Sequence, residues 1–338
     1  MVVPADEALM HLALQSAWEY QGLCYPNPAV GAVVSDPCGK IVGLGAHHAS
    51  GQPHAEVEAL KIAYIALSND KSILACQTSE QIHHFLQIHH NNLFHNLSLH
   101  VTLEPCHHYG KTPPCSQLIH TLGLKRVVIG SKDESLKASG GGVFLQQNGV
   151  NVEWGCLKEE CDMLLKPFLT WQAHQPFIFF KLAMSRNGVV TGGRISCEAS
   201  HIRVHALRNV CDLLVIGGNT VRIDRPTLDA RLCDGKAPDI LIYSNQKNFD
   251  TTIPLFSVCN RTVWVENSLN KVQQYRNVMV EGGQGMLDAL SPMIEWYLIF
   301  QSPHEKEGVA LTLPKMEKVF SMPMGQDTMS WYRKVIHG

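Results

Sequence analysis

The sequence lacks the features that mark several large protein classes. It has no basic excess, since 28 Lys and Arg stand against 30 Asp and Glu, so the broad positive field of non-specific nucleic-acid binding is not expected. Its eleven cysteines are odd in number and scattered, which indicates free or metal-bound thiols in a reducing compartment. It has no apolar run long enough to span a bilayer and no signal-peptide pattern at its start. We therefore expect a cytoplasmic protein with no membrane role and no nucleic-acid partner.

What the sequence does have is the length and apolar content for two folded units. It contains 338 residues, of which 45% are hydrophobic, and a chain of this size usually divides into domains. Its first half alternates the two hydrophobic periods, which is typical of an α/β domain. The predicted elements are helices at 6–20, from 54, at 115–122 and at 157–173, and strands at 29–34, 41–44, 99–103, 126–130 and 150–154.

The second half repeats this alternation. Strands are predicted at 177–183, 213–216, 240–243, 262–265, 278–280 and 296–300, with helices at 196–208 and after 285. Such a pattern favours an open, mainly parallel sheet, which binds ligands at the carboxyl ends of its strands. We expect a first domain at 1–150, a connecting helical segment at 151–175 and a second domain at 176–338.

One set of residues in the first half combines an imidazole, a carboxylate and two thiols. His54 and Glu56 lie at the start of a predicted helix, Cys106 follows a strand, and Cys115 opens the next helix. Taken singly, such cysteines are usually small buried hydrophobic residues. Together, the four residues match the zinc deaminase signature, in which the Glu carries protons and is not a ligand. The usual second half of that signature is Cys-x-x-Cys, whereas eight residues separate these two cysteines.

The runs at 25–31, 43–47, 51–56 and 103–115 resemble the bifunctional deaminase/reductase family of riboflavin biosynthesis, in which a long loop between the two cysteines is distinctive. The resemblance implies a cytidine-deaminase-like α/β/α domain that deaminates a pyrimidine ribosyl phosphate with zinc-activated water. By this resemblance, one Zn²⁺ per chain is bound by His54, Cys106 and Cys115, Glu56 moves protons, and Asn27 and His47 line the substrate pocket, where His47 could contact polar or phosphate groups.

Three stretches of the second half, 181–188, 217–231 and 281–285, resemble the reductase half of the same family. Taken alone, the glycine-rich stretch 281–285 could receive a phosphate or form ordinary turns. The charged stretch 217–231 could be a loop at the protein surface. The resemblance implies a dihydrofolate-reductase-like α/β domain that uses NADPH to reduce the ribosyl group to ribityl. It places Met184, Thr220, Asp224, Ser244 and Gly283 at the dinucleotide, and Arg208, Leu228, Arg231 and Glu281 at the ribosyl phosphate.

Several positions depart from the family pattern. Asn187 stands where Asp is usual, Arg194 replaces a tryptophan, and the loop 133–136 and the stretch from Gln301 also differ. An insertion at about 67–96 contains five histidines, for which we expect solvent exposure and assign no role. These histidines are His83, His84, His89, His90 and His95.

The sequence therefore predicts a bifunctional, homo-oligomeric enzyme that acts on a small pyrimidine ribosyl phosphate. Three alternatives stay open. The second domain could be a weak or inactive reductase, so that the protein would be a deaminase only. A nucleic-acid-editing deaminase would share the metal residues, and a structural zinc site would use them without catalysis.

Overall fold

The computed structural model describes residues 4–110, 113–135 and 139–335. The chain divides into two compact units, Met1–Gln172 and Ala173–Gly338. The segment 151–175, which we expected to connect the domains, supplies a strand and a helix to the first unit as far as Gln172. Residues 151–172 therefore belong to the first unit.

The first unit is built on a five-stranded sheet in the order β2-β1-β3-β4-β5. β1 pairs antiparallel with β2 and β3, whereas β3, β4 and β5 run parallel. β1 is buried along its whole length, and β3 and β4 are buried in all but their first residues. This explains their continuous apolar runs. The strands are β1 Gly31–Ser35, β2 Ile41–Ala46, β3 Ser98–Leu103, β4 Arg126–Ser131 and β5 Asn151–Trp154.

Helices cover this sheet and complete a three-layer α/β/α arrangement. α1 and α6 pack against each other and against strands, while α2, α3, α4 and α5 contribute to one apolar cluster with residues of β1, β3 and β4. The helices are α1 Pro4–Trp18, α2 Ala55–Ser68, α3 Ser79–His89, α4 Cys115–Thr121, α5 Gly141–Gln147 and α6 Lys158–Gln172. The fold predicted for this half is confirmed.

The histidine-rich insertion contains α3, which the sequence analysis did not predict. The helix begins with a capping box, in which Thr78 accepts a hydrogen bond from the Gln81 backbone and the Gln81 side chain bonds back to Thr78. His84, His89 and His95 are exposed as expected, but His83 is only 3% exposed. The expectation of solvent exposure was therefore wrong for His83, because it lies on the face of α3 that packs inward.

The second unit contains an eight-stranded sheet in the order β12-β13-β11-β6-β10-β7-β8-β9. The six strands from β11 to β9 run parallel, as predicted, and β12 and β13 add an antiparallel hairpin. The strands are β6 Phe177–Met184, β7 Leu213–Gly217, β8 Asp239–Tyr243, β9 Val263–Glu266, β10 Asn277–Glu281, β11 Trp296–Gln301, β12 Met316–Met324 and β13 Asp327–Lys334.

In the described part of this unit, the α-helices are α7 Glu198–Val210, α8 Gly218–Asp224 and α9 Gln284–Leu290. α8 occupies part of the stretch that we expected to be a charged loop. The three helices place polar side chains near the carboxyl ends of the parallel strands. Among the described residues, no helix combines the length and apolar character needed to cross a membrane.

Candidate active sites

The first candidate site gathers the predicted metal ligands. His54 is the N-cap residue of α2, Cys106 lies three residues after β3, and Cys115 is the first residue of α4. The Nδ1 atom of His54 lies 3.6 Å from the Cys106 sulfur and 3.4 Å from the Cys115 sulfur, and the candidate ligand atoms of all three residues lie within 4.8 Å of one another. One imidazole and two thiols at this spacing suit Zn²⁺ and leave a fourth coordination position open.

The local electrostatics favour a thiolate at Cys106. The pKa of this thiol is lowered by a hydrogen bond from Cys115, and also by contacts with His54 and the Cys115 backbone N–H. That N–H lies 3.4 Å from the Cys106 sulfur. Because thiolate is the metal-binding form of cysteine, this environment supports the assignment of Cys106 as a ligand.

Glu56 lies in the first turn of α2, two residues after His54, and is only 4% exposed. Burial raises the pKa of its carboxyl to about 7, against the opposing effect of His54. A carboxyl that titrates near neutrality can both accept and donate a proton at working pH. This position therefore suits a proton carrier beside the three ligands.

Asn27 and His47 form a hydrogen-bonded pair at the same cavity. His47 Nδ1 lies 2.9 Å from the Pro53 carbonyl and its Nε2 lies 3.1 Å from Asn27 Nδ2. Because Nδ1 must donate to the carbonyl, Nε2 is free to accept from the amide. Burial lowers the pKa of His47 to about 4. The ring is therefore neutral at neutral pH and offers no positive charge to a phosphate group. It orients Asn27 and leaves the amide oxygen of Asn27 available to a ligand.

A cavity of about 400 Å³, within the range of small-molecule sites, is lined by Asn27, His47, His54, Glu56 and Cys106. Several of its lining residues were not predicted from the sequence, namely Glu104, His108, Asp133 and Phe168. The loop 133–136 therefore reaches the cavity through Asp133, although Leu136 lies outside the described residues. Lys111 and Thr112, in the loop between the two cysteines, also lie outside them.

Glu104, which lines this cavity, holds neighbouring backbone segments in place. Its buried carboxylate accepts hydrogen bonds from the backbone N–H groups of Asp133, Gly140 and Gly142, at 3.0 to 3.1 Å. Its position two residues before Cys106 was the feature of the sequence that could have indicated a role for Glu104 at this cavity. Three backbone bonds to one carboxylate fix the segments that flank the cavity.

The second candidate site is a cavity of about 530 Å³ in the second unit. All four residues predicted for the ribosyl phosphate line it: Arg208, Leu228, Arg231 and Glu281. Thr220, Asp224 and Gly283 line it as well. An adjacent cavity of about 420 Å³ is lined by Ser244 together with Thr220 and Gly283. Met184 does not fit its prediction, because its side chain is buried in the apolar core with Phe180 and Leu182.

A compact charge cluster forms one wall of the larger cavity. The Nη2 atom of Arg208 donates to both carboxylate oxygens of Glu281, at 3.0 and 3.2 Å, and Lys181 Nζ lies 3.8 Å away. Burial opposes ionisation of Glu281, but Arg208 and Lys181 prevail and lower its pKa. The carboxylate is therefore ionised at neutral pH. Lys181 was not among the predicted site residues. A charged residue within the otherwise apolar strand β6 could have indicated a functional role.

Two of the departures from the family pattern, Asn187 and Arg194, both bond to Lys306. The Asn187 side chain donates to the Lys306 carbonyl at 2.8 Å and accepts from the Lys306 N–H at 3.1 Å. The Lys306 ammonium bonds to the carbonyls of Gly192 and Arg194. An ionised aspartate at position 187 could not donate a hydrogen bond to the Lys306 carbonyl, whereas the amide of Asn187 does. Arg194 lines the larger cavity and brings a cation where an aromatic ring was expected.

Glycines leave room for a ligand between the two cavities. A Cβ atom added at Gly283 or Gly285 would meet no other group within 4 Å, so the backbone there borders open space. Gly283 lines both cavities and Gly285 lines the smaller one. Adjoining polar cavities with exposed backbone between them fit an extended dinucleotide.

Comparison with known proteins identifies two matching family models. Residues 4–131 match the cytidine and deoxycytidylate deaminase zinc-binding region, and residues 176–303 match the RibD C-terminal domain. The riboflavin biosynthesis protein RibD of Bacillus amyloliquefaciens is 33% identical over 249 residues, which are 72% of this chain and 60% of that protein. RibD of Actinobacillus pleuropneumoniae is 32% identical over 287 residues, covering 82% of this chain and 69% of the relative.

A solved structure is similar over almost the whole chain. It is the diaminohydroxyphosphoribosylaminopyrimidine deaminase/5-amino-6-(5-phosphoribosylamino)uracil reductase of Thermotoga maritima. Its sequence is 26% identical, the TM-score is 0.66, and the alignment covers 98% of this chain and 99% of the other. The two-domain arrangement of deaminase and reductase is therefore present here.

Proposed function

Because the chain belongs to the RibD family of riboflavin-biosynthesis deaminase/reductases and contains both domains, we propose that it catalyses two consecutive reactions. The first is the hydrolytic deamination of 2,5-diamino-6-ribosylamino-4(3H)-pyrimidinone 5′-phosphate. The second is the NADPH-dependent reduction of the ribosyl group, which gives 5-amino-6-ribitylaminouracil 5′-phosphate. The cluster of His54, Cys106 and Cys115 beside buried Glu56 is the observation that carries this proposal.

In the deaminase site, the three clustered residues would hold Zn²⁺, which supplies Lewis-acid activation of water when it is bound. Glu56 takes a proton from the attacking water and delivers it to the amine, which leaves as ammonia. The pKa of about 7 suits both transfers. Asn27, oriented by His47, binds the edge of the pyrimidine ring through its free amide oxygen.

In the reductase site, NADPH when bound would supply a hydride to C1′ of the ribosyl group. The bond between C1′ and the ring oxygen would break, and that oxygen would take a proton from solvent, which opens the ring to the ribityl chain. The residues of the chain bind and orient the two reactants. Arg231, whose side chain is 61% exposed and bonded to Asp229, can offer its remaining donors to the ribosyl phosphate. Ionised Glu281, held by Arg208, accepts hydrogen bonds from sugar hydroxyl groups.

A second candidate is a deaminase with a weak or inactive reductase domain. Arg194 favours this candidate, because a cation replaces the aromatic residue expected against the nicotinamide. The four substrate residues and the charge cluster around Glu281 favour the bifunctional enzyme.

We also propose a homo-oligomeric enzyme in the cytoplasm that uses no nucleic-acid partner. The eleven cysteines all lie within the described residues and form no disulfide bond there, which suits a reducing compartment. The near-neutral charge supports a small-molecule substrate. Sedimentation of the purified protein at several concentrations would test the oligomeric state, and a purely monomeric boundary would contradict it.

Substitution Glu56→Gln tests the deaminase assignment. We expect ammonia release to fall about 10²- to 10⁴-fold, because the proton carrier is lost, while the zinc content measured by elemental analysis stays unchanged. Glu58→Gln, in the same helical turn but lining no described cavity, should keep both activity and metal. Loss of zinc together with activity would show instead that Glu56 is a ligand or a structural residue.

A further inference from the structure

Arg222 is a basic residue held rigidly at the smaller of the two reductase cavities. Its Nη2 atom donates to Ser244 Oγ at 3.4 Å and to the Gln246 carbonyl at 3.2 Å. The guanidinium carbon also lies 4.1 Å from the centre of the Phe249 ring, a cation–π contact that fixes its orientation. An arginine that is positioned before ligand binding loses less conformational entropy on contact.

The approach of this guanidinium depends on a glycine. A Cβ atom at Gly218 would lie 3.0 Å from Arg222 Nη1 and 2.6 Å from Ser244 Oγ. Any larger residue at Gly218 would therefore displace both side chains. The absence of a Cβ lets α8 and the end of β8 bring Arg222 and Ser244 together.

The charge of Arg222 is not neutralised within the described part of the chain, where no carboxylate oxygen lies within 4.0 Å of it. Its neighbours differ, since Arg225 pairs with Asp250 and Arg231 with Asp229. In the described ranges, Nε and Nη1 of Arg222 also have no hydrogen-bond acceptor. An oriented, unneutralised guanidinium with donors to spare beside a cavity is suited to a phosphate.

The position of Arg222, in α8, relative to the strands of the sheet indicates which phosphate group it would bind. The larger cavity is bordered by Lys181 of β6 and Glu281 of β10, whereas Ser244 follows β8. β8 lies three strand spacings from β6 in the order β6-β10-β7-β8, which is about 14 Å. If the nicotinamide enters the larger cavity to meet the sugar, the adenosine half of the dinucleotide must extend toward Ser244 and Arg222.

We propose that Arg222 binds the 2′-phosphate of NADPH and thereby determines the preference for NADPH over NADH. This inference rests on the proposed reductase function. The 2′-phosphate is the group that distinguishes the two cofactors, and it lies on the adenosine ribose. Arg222 is thus a specificity residue that takes no part in hydride transfer.

The test compares the binding of 2′,5′-ADP and ADP by isothermal titration calorimetry. We expect the wild-type protein to bind 2′,5′-ADP more tightly. Arg222→Gln should weaken 2′,5′-ADP binding about 10- to 100-fold, the range of one or two charge-assisted hydrogen bonds, and change ADP binding less than about threefold. Arg225→Gln is the matched control, because this adjacent arginine is paired with Asp250 and lines none of the described cavities. It should behave as wild type.

Three results would overturn the inference: no wild-type preference for 2′,5′-ADP, no effect of Arg222→Gln, or an equal loss for both ligands. The last result would assign Arg222 to the shared 5′ side of the nucleotide. Turnover with NADPH and NADH separates this inference from the reductase proposal. A protein that turns over neither cofactor but prefers 2′,5′-ADP through Arg222 would contradict only the reductase proposal.

Discussion

At the scale of single residues, the structure contains a buried imidazole that no motif indicates. Both ring nitrogens of His83 are buried without a hydrogen-bond partner among the described residues, an arrangement that usually costs about 1–3 kcal/mol. Burial lowers the pKa of His83 to about 4. The ring is therefore neutral in the folded protein, and the unfolded chain takes up a proton first as the pH falls below about 6.5.

We predict that His83→Leu raises the free energy of unfolding by about 1 kcal/mol or more at pH 7. The advantage should grow as the pH falls, because the wild-type folded state resists protonation of His83 down to about pH 4. Between pH 7 and pH 5, the difference in free energy of unfolding between His83→Leu and the wild type should increase by about 2 kcal/mol. Urea unfolding at the two pH values measures both effects. His84→Leu changes an exposed neighbour on the same helix and should show neither effect; equal behaviour of the two variants would refute the prediction.

The clustering of His54, Cys106 and Cys115 could be predicted from sequence because its signal is local. His54 and Glu56 are two residues apart at a helix start, and both cysteines lie at the ends of regular elements. The burial of His83 and of Met184 depends on packing against distant segments, and local sequence does not record it. The neutral state of His47 follows from its burial, which only the fold creates.

At the scale of elements, α1 is attached to the sheet by a buried charge network. Asp6, in the first turn of α1, is 2% exposed and accepts hydrogen bonds from both terminal nitrogens of Arg126, at 2.7 and 2.8 Å. His100 Nε2 also lies 2.9 Å from Asp6. The carboxylate therefore connects α1 with β3 and β4.

We predict that Asp6→Asn lowers the free energy of unfolding by about 2–4 kcal/mol, because it leaves the partly buried Arg126 without its main counter-charge. Chemical denaturation at neutral pH measures the change. Glu7→Gln is the control, since Glu7 is an exposed acidic residue in the same helical turn and should alter stability little. If Glu7→Gln destabilises the protein as much as Asp6→Asn, a helix-end effect explains both.

Elements with strong periodic patterns were predictable, and elements with mixed patterns were not. The parallel strands β7 and β8 are short apolar runs, most of whose residues are buried. In contrast, β12 has no fully buried residue and contains Pro323. It is held mainly by pairing with β13. Its own residue pattern therefore does not predict a strand.

At the scale of the whole molecule, the chain combines a deaminase-type unit and a reductase-type unit, for which we propose consecutive steps on one small molecule. The first unit presents three metal-binding side chains and a carboxyl of near-neutral pKa. The second presents adjoining cavities suited to a dinucleotide and a sugar phosphate. The division into two units and the nature of each were predictable from motif order. The extent of the first unit was not, because β5 and α6 pack onto it through tertiary contacts.

The most direct test supplies the zinc-loaded protein with the diaminopyrimidinone ribosyl phosphate and NADPH. Ammonia release and the loss of NADPH absorbance are then recorded together. We predict that both occur in equal molar amounts, and that Glu56→Gln abolishes both with this substrate but still consumes NADPH with the deaminated intermediate. Ammonia release by the wild-type protein without any loss of NADPH absorbance would contradict the bifunctional account.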